Sequence, residues 1–120
     1  MDIKSHVTTI DSMVARGEIV EAVQAFFATE AQTSDYGGLA TTGKEQMIAK
    51  MEGFTGAIAA VNGITLHRAL VDGNSSASEF TFDFDMKDGS KILWHEIILR
   101  TWNEDGKVIR EEYFDAKANA

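Results

Sequence analysis

Glu79-Phe80-Thr81-Phe82-Asp83-Phe84-Asp85-Met86 decides the fold of this 120-residue chain. Phe80, Phe82, Phe84 and Met86 alternate with Glu79, Thr81, Asp83 and Asp85, so a strand here turns an aromatic face inward and an acidic face to water. Turn signals bound it on both sides, Asp72-Gly73-Asn74-Ser75 before it and Asp88-Gly89 after it. Beyond those turns the period stays at two. One strand is expected over residues 64–71 and a long one over residues 91–103. After Asp105-Gly106 a last strand covers residues 107–115. The second half is an antiparallel meander.

The first half has the helical period instead. Ile3, Val7, Ile10 and Val14 form one apolar stripe, and Gly17 after Arg16 is a natural stop. Ile19, Val20, Val23, Phe26 and Phe27 mark a second, short helix. Residues 31–36 read as extended, closed by Gly37-Gly38. Thr42 with Glu45 fits a capping box. The helix behind it is expected to carry Met47, Ile48, Met51, Phe54, Ile58 and Val61. Its glycines Gly53 and Gly56 each cost about 1 kcal/mol against alanine and permit close packing. Three helices followed by a meander make an α+β domain over residues 1–120, with the helices on one face of a curved antiparallel sheet. Such a sheet, bent around a long helix, forms a cone whose open end is a pocket, usually apolar with a few convergent polar groups.

Composition narrows the function classes. Hydrophobic residues at 44% and charged residues at 25% are those of a folded globular domain. Eleven Lys and Arg against nineteen Asp and Glu give a net charge of −8, which repels nucleic-acid phosphates and anionic lipids. No apolar run approaches the ~20 residues of a membrane span, and the polar N-terminus has no signal-peptide core. A cytoplasmic protein without nucleic-acid or membrane partners is expected. With no cysteine there is no disulfide or thiolate site. His6, His67 and His95 lack metal-ligand spacing, so no metal or other cofactor is expected. His6 and His67 differ in expected setting: His6 faces solvent, while His67, like His95, is a packed or interface residue.

Three stretches carry a resemblance: AFFATEAQTSDYGG at residues 25–38, TTGKEQM at 41–47 and ILRTWNEDGKVIREEYFDA at 98–116. With the element order they resemble the nuclear transport factor 2-like superfamily, in its SnoaL-like and ketosteroid-isomerase-like branch. The resemblance covers nearly the whole chain and implies a cystatin-like or SnoaL-like roll. It also implies a homodimer through the outer sheet face, where Leu93, Ile97 and Leu99 make a surface too apolar to leave wet. Activity does not follow from it, because one fold of this kind hosts isomerases, cyclases, dehydratases, epoxide hydrolases and plain binders.

By that resemblance Asp35 stands where the isomerases place a proton-abstracting carboxylate, although Tyr36 replaces their proline. The other reading of Asp35 is a turn residue capping backbone donors at Gly37-Gly38. The isomerases' two oxyanion donors align with Ile10 and Ile98, so a steroid isomerase of the usual type is not expected. Glu112 lies near the acid used by epoxide hydrolases and cyclases, with Arg110 and Phe114 on its face of the strand. Glu96 shares a face with Trp94, Ile98 and Arg100, where Arg100 can counter it. Asp35, Glu112 and Glu96 are therefore the candidate catalytic residues, and cross-strand ion pairing on an exposed face is the alternative for the last two.

The expected pocket wall draws on every element. Ile10 and Met13 come from the first helix, Phe27 from the second, Tyr36 from the segment after it, and Met51 and Phe54 from the third. Phe80, Phe82, Trp94, Ile98, Arg100 and Phe114 come from the sheet. Two function classes stay open. One is a binder, or degenerate enzyme, taking a small apolar oxygenated molecule. The other is an acid–base enzyme of isomerase, cyclase or dehydratase type with Asp35 as general base.

Overall fold

The computed structural model describes residues 2–38 and 40–116. Asp2 starts the first helix: its carboxylate accepts the Lys4 amide at 3.0 Å, and α1 runs over Ile3–Ala15. At the far end Gly17 takes φ 83°, and the amides of Gly17 and Glu18 return to the carbonyls of Val14 and Met13, each at 2.9 Å. That is a Schellman stop, which a left-handed glycine permits, and it falls where the sequence places it. Helix α2 (Ile19–Phe26) passes straight into β1 (Phe27–Asp35), so Phe27 belongs to the sheet and not to the helix expected to hold it.

A short β2 (Ala40–Thr42) leads into α3 (Lys44–Gly56). The Thr42–Glu45 capping box does not form. Thr42 is still paired with Gln32 in the sheet, so Gly43, at φ 99°, becomes the N-cap residue, with no side-chain cap among the described residues. Gly53 is absorbed within the helix, whereas Gly56 ends it. Ile58 and Val61 therefore leave the expected helix and open β3 (Ile58–Asp72). What overrides their helical spacing is a ladder along the whole of β4 (Ser75–Met86), from Ile58 opposite Met86 to Asp72 opposite Ser75.

Strands β5 (Lys91–Trp102) and β6 (Val108–Asp115) complete a curved, unclosed six-stranded sheet in the order β2-β1-β6-β5-β4-β3. All neighbours are antiparallel except β1 and β6. That parallel pair is a correction to the expected all-antiparallel sheet. It arises because α2 delivers the chain to β1 at the end where the β5–β6 hairpin delivers it to β6, with Phe27 opposite Val108.

The helices cover one sheet face. Val7, Ile10 and Val14 of α1, Ala22 and Val23 of α2, and Met47 of α3 are buried in one cluster with Phe80, Phe84, Ile98 and Trp102. Burying a side chain of the larger kinds contributes roughly 1.5–3 kcal/mol. Trp102 ties α1 and α2 to the sheet: His6 and Phe26 each meet its ring edge-on at 6.0 Å, and its Nε1 donates to Ser76 Oγ at 3.0 Å. His6, expected in solvent, is thus half-buried, because its ring completes that aromatic corner. Among the described residues no helix is long and apolar enough to cross a membrane.

Candidate functional site

Between the helices and the inner face of β4–β6 lies a cavity of about 290 Å³. Its floor follows from strand register, since residues opposite one another share a face. Asp35 of β1, Tyr113 of β6, Ile98 of β5 and Ser78 of β4 lie in one row across the sheet. Thr33, Glu111, Arg100 and Ser76 make the next row. Ile10, Ala22, Val23, Met51 and Phe54 close the cavity from the helices, and Phe82, Phe84 and Trp94 extend its apolar wall.

Most expected wall residues are there: Ile10, Phe27 and Tyr36, then Met51, Phe54 and Phe82, then Trp94, Ile98 and Arg100. Three lie elsewhere. Met13 packs against the core beside the cavity rather than on its wall. Phe80 is fully buried with Phe82 stacked on it at 5.4 Å. Phe114 points through the opposite sheet face and is 41% exposed.

Polar groups gather at one side. The side chain of Asp35 lines the cavity and its Oδ2 accepts from Lys50 Nζ at 2.6 Å. The amide of Gly38 goes to the backbone carbonyl of Asp35 at 2.8 Å, so the turn is held without that carboxylate. Tyr36 and Gly37 both have positive φ, 53° and 72°, as a tight mirror-image turn requires. A tyrosine in that region is strained. This residue aims its hydroxyl at Glu96 Oε2, to which it donates a hydrogen bond. Glu96 is only 6% exposed. Burial pushes its carboxyl above the usual range, the Tyr36 hydroxyl pulls it back in part, and the charges of Asp35, Glu111 and Asp115 push it further up.

Arg100 does not counter Glu96 as expected. It is fully buried between two other carboxylates, donating from one terminal nitrogen to Asp11 Oδ1 and from Nε to Glu111 Oε2, both at 2.8 Å. Ser78 Oγ donates to Asp11 Oδ2 at 2.6 Å, and the Tyr113 hydroxyl donates to Glu111. Burial alone would lower the guanidinium pKa, but Glu111 and Asp11 outweigh it and hold the group firmly charged. Glu112 faces away from the cavity and pairs with Arg110 at 3.3 Å. A bulge explains the shift: β6 slips against β5 between Val108 and Arg110, so Val108 and Glu111 both face inward three residues apart. Glu111 takes the inward place expected of Glu112.

Sequence reading missed Asp11, Lys50, Glu111 and Tyr113. Asp11 carried a usable signal, since it sits four residues after Val7 and three before Val14, a charge on the buried stripe of α1. His95, on the outer face, lies 2.6 Å from Glu79, and the exposed His67 lies 2.7 Å from Thr81 Oγ1. Among the described residues no three His, Asp or Glu side chains gather as metal ligands.

Both tyrosines of the chain carry phenols raised above the ordinary 10, by burial first and by Glu96 or Glu111 next. A group that binds its proton more tightly when folded contributes stability that is present below its unfolded pKa and lost as pH rises through the folded one. The folded protein is therefore expected to show almost no phenolate absorbance at about pH 10, whereas the denatured chain is half-ionised there. A folded protein that titrates like free tyrosine would contradict both hydroxyl–carboxylate pairs.

No family model matches the chain, and no curated protein matches it in sequence. Solved structures do match in fold. A Mesorhizobium loti protein named as a SnoaL-like polyketide cyclase superposes with a TM-score of 0.84 at 21% identity, over 95% of this chain and 99% of its own. A nuclear transport factor 2-like protein of unknown function from Burkholderia pseudomallei gives 0.78 at 14%, over 98% and 94%. A Catenulispora acidiphila protein with a ketosteroid isomerase-like fold, solved in complex with trimethylamine, gives 0.74 at 17%, over 93% and 86%. The SnoaL-like roll expected from the sequence is the fold of this chain.

Proposed function

We propose that this cavity binds a small, largely apolar molecule and docks the molecule's one polar group at Tyr36 and Glu96. The observation that carries the reading is the division of the wall: α1, α2 and β4 supply only apolar side chains and α3 adds Met51 and Phe54, while Asp35 with its partner Lys50, Tyr36 and Glu96 lie at one side. Ligand pockets are commonly built this way, with apolar area supplying affinity and a few polar groups fixing orientation. Thermal-shift screening with steroid, polyketide-like and terpenoid compounds tests it. A ligand present at about 100 times its Kd adds about 2.7 kcal/mol of stability, a rise of several degrees. A panel that produces no shift would count against the reading.

A second reading is favoured by the place of Asp35 on the cavity wall, where Lys50 holds its carboxylate at 2.6 Å. In it the chain is an acid–base enzyme: Asp35 takes a proton from carbon beside a carbonyl, and protonated Glu96 donates a hydrogen bond to the oxygen that gains charge. Burial and the neighbouring negative charges push the Glu96 carboxyl upward, the direction such a role requires. Ile10 and Ile98 line the cavity and have no side-chain donor, so Tyr36 and Glu96 would have to stand in for the isomerases' donor pair. Turnover that disappears in Asp35→Asn while ligand binding persists is the result this reading expects. Binding without turnover in either protein leaves the first reading alone.

A homodimer through the outer sheet face, in the cytoplasm, belongs to the same proposal. Leu70, Ala77 and Leu99 form one outer row, and Ile97 faces Phe114 beside it. Leu70 is 65% exposed and Leu93 54%. Light scattering is expected to give twice the chain mass for the native protein and the single mass for Leu70→Asp. A native monomer would refute the dimer.

A further inference from the structure

We infer that the polar group of the ligand is a positively charged nitrogen, in an apolar amine or quaternary ammonium compound held between Glu96 and the rings of Trp94 and Phe54. The inference rests on the ligand-site reading above and specifies its chemistry. Its first ground is the charge balance of the cavity and its supporting shell. Among the described residues four carboxylates, Asp11, Asp35, Glu96 and Glu111, stand against two cations, Lys50 and Arg100. Both cations are already engaged. Lys50 holds Asp35 at 2.6 Å, and Arg100 is shared between Asp11 and Glu111. An anionic ligand thus meets excess negative charge with no uncommitted cation among the described residues of the cavity wall.

Glu96 is the second ground. Among the described residues its partner is a hydroxyl, Tyr36, and no cation lies within ion-pair distance of it. A buried carboxylate in that position gains most from a cation brought in from outside. The third ground is aromatic. Phe54 and Trp94 both line the cavity, and their rings stack with centroids 5.7 Å apart and planes 12° apart. Trp94 is 38% exposed, so the indole reaches from the cavity to solvent. Ring faces attract cations through their quadrupole, and ammonium groups with apolar substituents are the usual guests of such walls. A neutral ligand would use the apolar surface but leave the negative excess without a counterpart.

A matched pair of probes separates the possibilities. Phenyltrimethylammonium and tert-butylbenzene have nearly the same shape and differ by one charge. Titration calorimetry of the full chain at near-physiological salt is expected to show the ammonium bound at least ~10-fold more tightly. In Glu96→Gln, where the amide oxygen can still accept from Tyr36, that preference should fall close to unity. Equal binding, or tighter binding of tert-butylbenzene by the native protein, would overturn the cation inference and leave the ligand-site reading standing. A preference that survives in Glu96→Gln would also overturn it, because the protein's overall charge of −8 attracts cations anywhere on its surface. If neither probe binds, both the inference and the ligand-site reading fail.

Discussion

Arg100→Met should lose about 3–5 kcal/mol of stability at neutral pH, the largest loss expected of any charged residue here. Methionine matches the length of the arginine stem and packs in an apolar setting, so volume is not the cause. The cause is what stays behind. Asp11 and Glu111 are nearly inaccessible, with side-chain exposures of 1% and 6%. Each keeps one neutral partner, Ser78 for Asp11 and Tyr113 for Glu111. Neither hydroxyl supplies the positive charge that makes two buried carboxylates tolerable. The variant can recover only by protonating them. Protonation removes the unpaired charge, so the variant's deficit against the native chain should shrink as pH falls. Urea unfolding near pH 7 and near pH 5 measures this. A deficit of the same size at both values would mean that shape, rather than charge, makes Arg100 important.

Trp102→Ala should cost a similar amount, about 3–5 kcal/mol, through a different mechanism. Trp102 is 1% exposed and is the largest of the fully buried side chains. Its removal opens a void under His6 and Phe26, whose rings pack against its edges, and leaves Ser76 Oγ without its indole donor. Neither neighbour can refill the space, because His6 is held on α1 and Phe26 sits at the end of α2. Trp102 does not line the cavity. Each molecule that remains folded should therefore bind ligand as the native chain does. Urea unfolding followed by a binding titration distinguishes the two effects. A small stability loss, below about 1 kcal/mol, would show that the aromatic corner is not a main anchor of the helices.

The contrast between these two residues shows what was legible from sequence. Period-two alternation along β5 puts Trp102 on the same face as Trp94, Glu96, Ile98 and Arg100. The same alternation did not decide the side of that face, and the structure turns it inward. It failed one strand later, where the bulge beside Ile109 changes which side each residue faces and brings Glu111 inward in place of Glu112. A bulge is a property of pairing between two strands, and the local pattern of one strand does not contain it. Long-range ion pairs were hidden for a related reason. Asp11 and Arg100 lie 89 residues apart and meet only because α1 packs on the inner face of the sheet. Helical spacing also misled at Ile58 and Val61, where pairing with β4 outweighs an apolar period that fits a helix. Asp35 was recognised through the resemblance, yet its partner Lys50 was not, since contact between them requires α3 to fold back over β1.

The central claim is that a ligand enters the cavity and meets Glu96 and Tyr36. Nuclear magnetic resonance of the methyl-labelled full chain, titrated with the tightest binder found in the screen, tests it most directly. Ile10, Val14, Met51 and Ile98 line the cavity, whereas Leu70, Leu93 and Leu99 lie on the outer sheet face. The account predicts saturable shifts in the first group, together with the Trp94 indole, and unchanged signals in the second. Saturable shifts confined to Leu70, Leu93 and Leu99 would contradict it.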